Sequence, residues 1–209
     1  MNEVSNTKTR ILDVAEKLFG EKGFDSTSLR DITAEAQVNL AAVNYHFQSK
    51  ESLIEAVIER RIEPINRRRM EMLDAAGPNP TLEQVIEAFV GPALEREMLT
   101  PGPLIGRILS TPDQFANWVY KKHLAGMAER FSAAIGQALP GLPAEESRWR
   151  LHFMAGSMAH VLVYSSLLPM MTNGLCTLTD RKAVIARLVA FQAAGFRAPV
   201  ATASMVETH

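Results

Sequence analysis

The sequence has few of the residues that make disulfides or metal sites. Its single cysteine, Cys176, excludes a disulfide within one chain and favours a reducing compartment, the cytoplasm. The first fifteen residues are polar and lack the apolar segment of a secretory signal, in agreement with that expectation. None of the five histidines has a partner at metal-ligand spacing, so we expect no metal and no other cofactor.

The chain also lacks an excess of positive charge. Its 209 residues include 22 Lys and Arg against 23 Asp and Glu, which gives a formal net charge of -1. Total charge therefore does not indicate nucleic-acid binding, and such binding would depend on where individual basic groups lie. The sequence also shows no nucleophile paired with a base, no glycine-rich phosphate loop and no metal cluster. We therefore expect that the protein is not an enzyme.

No stretch alternates apolar and polar residues as a β-strand does, whereas helical spacing recurs throughout. Breakers such as Gly77-Pro78-Asn79-Pro80 and Pro140-Gly141-Leu142-Pro143 separate the helical stretches. These patterns predict an all-α fold, with late helices from about Ala144 to Leu168 and from about Asp180 to Ala194.

Residues 151–179 contain no Asp, Glu, Lys or Arg, a length that would suffice to cross a bilayer. His152, His160 and Pro169 interrupt the run, and a helix that is apolar all round can equally be buried in protein. We expect burial and no membrane insertion.

The most informative stretch runs from Thr27 to Lys50, TSLRDITAEAQVNLAAVNYHFQSK. Ser28 and Asp31 have the spacing of a capping box, and Asn39 is suited to cap a second helix after a break at Gln37. Val43 and Phe47 are expected in a small core, which leaves the rest of the second helix facing outward. The pattern predicts a helix-turn-helix whose second helix reads DNA, and a generic helical hairpin with a solvated polar face is the alternative.

A longer match carries a family resemblance. Residues from about Thr9 to Ile58 resemble the N-terminal domain of TetR-family transcriptional regulators, through ILDVAEKLFGEKGF, TSLRDIT and NYHFQSKESL. The chain departs from the family at Gln37, where glycine is usual, and at Asn44, where an aromatic residue is frequent. A left-handed backbone at Gln37 would be strained, because only glycine adopts it without cost.

The resemblance implies two domains. Residues 1–55 would form a three-helix helix-turn-helix DNA-binding domain, and residues 56–209 a helical domain for effector binding and dimerisation. The partners implied are double-stranded palindromic DNA, a small apolar effector and a second identical subunit. In such proteins the last two long helices form a four-helix bundle with their counterparts. The resemblance implies a repressor that the effector releases from DNA.

The DNA contacts are carried from the family onto matching positions. Arg30, Ala41, Ala42 and Asn44 would meet bases, and Leu40 would contact a thymine methyl group. The phosphate contacts would come from Thr27, Tyr45, His46 and Lys50. Helix N-termini at Ser28 and Asn39 could also bind phosphate through free N–H groups.

The effector site is expected among side chains that suit apolar ligands. They are Phe89, Phe115, Trp118, Met127, Phe131, Phe153 and Met154, and ordinary core is the alternative for each. Arg107 would pair with a ligand carboxylate or with a nearby acidic side chain. The stretches RWRLHFMAG, GRIL and FQAAGFRA resemble a fatty-acid-sensing subgroup, which suggests a fatty acid or acyl derivative. An apolar small-molecule carrier with a non-functional helix-turn-helix is the alternative function.

Overall fold

A computed structural model describes residues 2–99, 104, 106, 108 and 113–200. Within these ranges the chain is largely helical and contains no strand, which confirms the predicted all-α class. The helices are α1 Asn2–Lys22, α2 Leu29–Ala36, α3 Leu40–Phe47, α4 Lys50–Ala75, α5 Leu82–Leu99, α6 Asp113–Val119, α7 Ala125–Ala138, α8 Ala144–Tyr164, α9 Leu167–Met171 and α10 Arg181–Arg197. A π-helical turn, Tyr120–Leu124, joins α6 to α7.

The described residues form two compact units. The first contains those up to Arg67 and those between Leu99 and Ala125, and the second contains the remainder. The predicted domain boundary after residue 55 falls inside the continuous helix α4.

Apolar faces of short helices build the core of the first unit. Its fully buried side chains include Ile11 and Phe19 of α1, Ile32 of α2, Val43 of α3 and Leu53 of α4. Burying large apolar side chains stabilises this bundle by about 1.5–3 kcal/mol each. The core therefore fixes α3 against the helices on either side of it in the chain.

Charged side chains attach α1 to α4. Arg60 donates to Asp13 Oδ1 at 2.7 Å and to Glu16 Oε2 at 2.6 Å, and Arg61 lies 3.2 Å from Glu16 Oε1. These contacts hold the first half of α4, the helix that follows the turn after α3, in a fixed position on α1.

The second unit has its own core, centred on Phe131, Ile135 and Met154, all fully buried. Arg150 of α8 is also buried and donates to the carbonyl oxygens of Phe196 at 2.7 Å and Pro199 at 3.3 Å, near the end of α10. The predicted helix from Ala144 ends at Tyr164, earlier than Leu168, and α9 follows as a separate short helix. Among the helices of the described residues, none has the length and hydropathy to cross a membrane.

Candidate nucleic-acid interface

The first helix of the motif begins with the predicted capping box. The Asp31 N–H donates to Ser28 Oγ at 3.1 Å, while the Ser28 N–H and hydroxyl donate to Asp31 Oδ2 at 2.9 and 2.6 Å. These hydrogen bonds from Ser28 lower the pKa of the Asp31 carboxyl, because they stabilise its ionised form. The hydroxyl of Ser28 is thus already engaged within the protein.

The turn between the two helices has a left-handed residue where the sequence predicted strain. Gln37 adopts φ 53° and ψ 48°, and its N–H donates to Ala34 O at 3.3 Å. Val38 N–H donates to Thr33 O at 3.0 Å, which closes the end of α2. Gln37 therefore occupies a conformation that glycine adopts more easily.

The second helix of the motif has one buried and one exposed face. Asn39 caps it, since its Oδ1 accepts the Ala42 N–H at 2.8 Å, and Val43 and Phe47 are buried in the core. The opposite side is exposed and consists of Leu40, Ala41, Asn44 and Tyr45, which we name the reading face. Leu40 is 46% and Tyr45 75% exposed, so both are accessible to a partner.

Two of the predicted contact residues are placed elsewhere. Thr27 is fully buried, and its hydroxyl is directed at Gly23 O, at 2.8 Å, and Leu18 O, at 3.2 Å. The expectation that its side chain meets phosphate is therefore wrong, because the hydroxyl is enclosed and used to join the end of α1 to the start of α2. Ala42 is half-buried against the core, so the expectation that it faces outward with its neighbours is wrong in part.

The basic groups within the motif are Arg30, His46 and Lys50. Arg30 is exposed on α2, and Lys50 Nζ approaches Asp25 O at 3.4 Å. His46 is half-buried, with its ring edge-on to Tyr45 at 5.1 Å between centroids. At the start of α4, Ser49 Oγ accepts the Ser52 N–H at 3.1 Å. Cations, an amide and small apolar side chains are the groups that contact phosphates and base edges.

Comparison with protein-family models gives two matches along the chain. Residues 11–57 match bacterial regulatory proteins of the tetR family, and residues 87–195 match the tetracyclin repressor-like C-terminal domain. The chain belongs to the TetR family of transcriptional regulators. This confirms the family that the motifs of the N-terminal segment indicated.

Named relatives within the TetR family share part of the chain. The probable HTH-type transcriptional regulator YttP of Bacillus subtilis (strain 168) is 32% identical over 82 residues, which are 39% of this chain and 40% of YttP. IcaR of Staphylococcus aureus (strain Newman), a negative transcriptional regulator of the biofilm operon icaADBC, is 28% identical over 116 residues. That match covers 54% of this chain and 59% of IcaR. The chain thus spans less than two thirds of the length of either relative.

Solved structures share the fold over nearly the whole chain. A transcriptional regulator of the TerR/AcrR family from Aquifex aeolicus VF5 is 22% identical with a TM-score of 0.63, over 90% of this chain and 98% of that one. The fatty acid degradation regulator FadR from Bacillus halodurans is 16% identical with a TM-score of 0.63, over 92% and 97%. At these identities the likeness concerns the fold alone.

The predicted effector residues of this TetR-family protein are divided between the two units. Phe115 and Trp118 belong to the first unit, where the ring of Phe115 lies 4.8 Å from that of Phe24. Both pack against the core that supports the reading face. Phe115 and Trp118 therefore contribute to the packing of that core, independently of any contact with a ligand.

In the second unit, three of the predicted effector residues are core side chains: Phe89 is 5% exposed, and Phe131 and Met154 are fully buried. Met127 packs against the same core. Phe153 is 61% exposed and stacks on Trp149 at 5.7 Å, so the expectation that it lines an interior pocket of this chain is wrong. Arg107 lies outside the described residues.

Sequence reasoning did not predict that Arg69 is buried in the second core. Arg69 is 5% exposed, donates to Phe89 O at 2.7 Å and Met158 Sδ at 3.4 Å, and lies 4.5 Å from the Phe89 ring centroid. Burial lowers the pKa of its guanidinium to about 10, which leaves it protonated at neutral pH. The signal was its spacing from Ile62, Ile65 and Leu73 along the apolar face of α4. The run Arg67-Arg68-Arg69 predicted a solvated helix face instead.

A second missed feature is a cleft of about 500 Å³ in the second unit. Side chains of α8, α9 and α10 line it, among them Val161, Leu168 and Phe191, together with Cys176 and Arg187. The loop that closes it, between α9 and α10, lacked a periodic pattern, so sequence alone did not predict the cleft.

Proposed function

We propose that this TetR-family protein is a dimeric repressor that binds palindromic DNA and is released by a small apolar effector. The observation that carries the proposal is the reading face. Its exposed side chains are held by a capped helix whose other side is buried in the core. Leu40 and Ala41 let the helix approach a major groove closely, and Asn44 can pair bidentately with adenine.

Phosphate contacts supply affinity in this proposal. Tyr45 of the reading face and the neighbouring His46 and Lys50 would contact phosphates, and the N-termini at Ser28 and Asn39 add partial positive charge. Each phosphate neutralised by a basic side chain releases counterions, so binding must weaken with salt. Because the net charge of the chain is -1, its DNA affinity depends on where the basic side chains lie and not on total charge.

Dimerisation is supported by the outer faces of α8 and α10. Trp149 and Phe153 of α8 are 53% and 61% exposed, and Phe191 of α10 is 70% exposed. Gly156 on α8 and Ala190 on α10 are exposed small residues, which allow a second copy to approach closely. Two identical subunits related by a two-fold axis would require a palindromic operator.

Effector binding is supported by composition of the second unit. Met127, Met154 and Met158 lie in or against a core that also contains Phe89 and Phe131. Methionine and aromatic side chains adapt to ligands of varied apolar shape. A fatty acid or acyl derivative is the class that we propose, and α4, which continues from the first unit into the second, would transmit its binding.

Selection from a random pool of DNA duplexes, followed by gel-shift titration at two salt concentrations, tests the proposal. We expect enrichment of one palindrome and affinity that falls as salt rises. Lys50→Ala should lower the salt slope by about 0.9, the value for one lost phosphate contact. The control is Arg130→Ala in the second unit, which removes a cation whose side chain is 56% exposed and should leave the slope unchanged.

The same preparation distinguishes the alternative, an apolar small-molecule carrier. The cleft of about 500 Å³ favours that function over an enzyme. Transfer of a fluorescent fatty acid between vesicles, with no enriched duplex, would support the carrier and reject the repressor. Native mass spectrometry of the purified protein should reveal a bound acyl chain if the proposed effector class is right, and a bound polar metabolite would overturn it.

A further inference from the structure

One turn between α6 and α7 is wound as a π helix. The Ala125 N–H donates to Tyr120 O, five residues earlier, instead of to the oxygen four residues earlier. Such turns are rare and frequently lie at functional sites. A π turn is removed when one flank of the helix moves by one residue, about 1.5 Å along the axis and about 100° around it. It is therefore a place where a helix can have two discrete registers.

Side chains on both flanks fix their own register. On the α6 side, Val119 is 3% exposed and packs in the core of the first unit. On the α7 side, Phe131 and Ile135 are fully buried in the core of the second unit. A rotation of about 100° would remove such side chains from their buried positions. The π turn therefore keeps its one extra residue unless one core rearranges.

The π turn is fastened to α4 by polar contacts. Asn66 Nδ2 donates to His123 O at 2.7 Å, and the ammonium of Lys122 forms an ion pair with Glu55. Lys122 Nζ also lies 5.9 Å from the centroid of the Trp118 ring. Glu55 and Asn66 belong to the helix that begins at Lys50, directly after the reading helix and its turn. Movement of the π turn would therefore release or displace α4.

The turn contains a buried polar atom that disfavours this arrangement. Among the described residues, His123 Nε2 is buried without a hydrogen-bond partner, and its ring lies edge-on to Trp118 at 5.7 Å. Burial lowers the pKa of the His123 imidazole, Lys122 acts in the same direction, and Glu59 of α4 opposes them. An unmade hydrogen bond makes the observed state less stable than its contacts alone would. Less free energy is then needed to move the turn out of this state.

We propose that the π turn Tyr120–Leu124 is a two-state switch that controls the freedom of α4. In the π state, Asn66 and Glu55 hold α4 in place. In the second state, one flank has shifted by one residue, the Asn66–His123 bond is broken and α4 is free to move. Freedom of α4 must be lost again when DNA binds, which lowers affinity. The π state is therefore the state with higher DNA affinity, and this part of the inference rests on the proposed function.

Hydrogen-exchange mass spectrometry of the full chain tests the fastening without DNA. Amides of residues 120–127 should exchange faster than both flanks. Asn66→Ala should speed exchange there and in α4 by about tenfold, the effect of losing one well-made hydrogen bond. His123→Leu, which removes the unpaired nitrogen, should slow exchange at the turn. Arg67→Ala, at the adjacent exposed position of α4, should change neither segment.

The outcomes separate this inference from the proposed function. If Asn66→Ala speeds exchange at the turn but leaves α4 unchanged, or if Arg67→Ala acts in the same way, the coupling is wrong. If the exchange results agree and the wild-type protein selects no duplex, the switch stands and the repressor function fails. If a duplex is selected, Asn66→Ala must bind it about tenfold more weakly, again the effect of one hydrogen bond. Unchanged affinity would overturn the functional part.

Discussion

The side chains of the helix-turn-helix motif and those of the second core are placed by contacts of different range. In the first, Ser28 bonds Asp31 and Asn39 bonds Ala42, each pair three residues apart. In the second, Arg69 reaches Phe89 and Arg150 reaches Phe196, which are far away in the chain. Spacing alone specifies the first kind of contact, whereas the second exists only after folding. The sequence therefore predicts the surface of the motif, but it does not predict the interior of the second unit.

The largest expected effect contrasts an aromatic side chain from each unit. Phe131→Ala should reduce the free energy of unfolding by about 3–5 kcal/mol, because it leaves a cavity in the second core. Tyr45→Ala removes a ring that is 75% exposed and should cost under about 0.5 kcal/mol. Urea unfolding followed by circular dichroism measures both. Equal losses would show that exposure in the single chain does not distinguish the two rings.

The next effect concerns the outer face of the second unit. Gly156→Phe should weaken dimerisation by about 1–3 kcal/mol, because a large side chain would overfill a close helix contact. Nothing within 4 Å would meet a Cβ at Gly156 in the single chain, so the subunit itself should fold. Gly136→Phe is the control, since Gly136 is equally open and lies on α7. Analytical ultracentrifugation should detect monomer for Gly156→Phe only, and dimers of both variants would place the interface elsewhere.

The reading face offers a contrast between adjacent residues. Asn44→Ala should relax preference at one base pair at a cost of about 1–3 kcal/mol, because it removes a bidentate base contact. Tyr45→Ala should weaken binding to all duplexes alike, since a phosphate contact positions without specifying. Repeating the duplex selection with each variant measures this. An unchanged sequence preference for Asn44→Ala would reject our assignment of the base-reading residue.

A smaller effect tests the structural role of Thr27. Thr27→Val keeps the shape of the side chain but loses the hydroxyl, which should cost about 1 kcal/mol of unfolding free energy for a lost hydrogen bond. Thr177→Val in an exposed loop should stay within about 0.5 kcal/mol of the parent. When affinity is measured per folded molecule, neither substitution should change DNA affinity. Weaker binding of Thr27→Val to all duplexes would restore the phosphate contact that the buried hydroxyl argues against.

Particular residues show why prediction succeeded in one place and failed in another. The caps at Ser28 and Asn39 and the buried positions Val43 and Phe47 followed from spacing and residue type. Thr27 was misassigned because its acceptors are the carbonyl oxygens of Leu18 and Gly23, whose positions depend on the bend after α1. The π turn at Tyr120–Leu124 was not predicted, because no short sequence pattern specifies one.

The same limit explains the predicted effector residues. Phe115 and Phe131 are of the same type and lie sixteen positions apart, yet one packs in the first core and the other in the second. Composition could show that such side chains suit an apolar ligand. It could not show which core each of them would join, because that depends on the path of the helix through Tyr120–Leu124.

The smallest expected effect tests the local backbone at the turn of the motif. Gln37→Gly should raise the free energy of unfolding by about 0.5 kcal/mol, since relief of left-handed strain exceeds the entropy that glycine adds to the unfolded chain. Gln137→Gly is the control, because Gln137 lies exposed in the last turn of α7 without a positive φ, where the change should cost up to about 0.5 kcal/mol. The same substitution should thus change the free energy of unfolding in opposite directions at the two sites, because only Gln37 has a positive φ. If both variants lose stability, the turn is held by contacts of the Gln37 side chain rather than by backbone conformation alone.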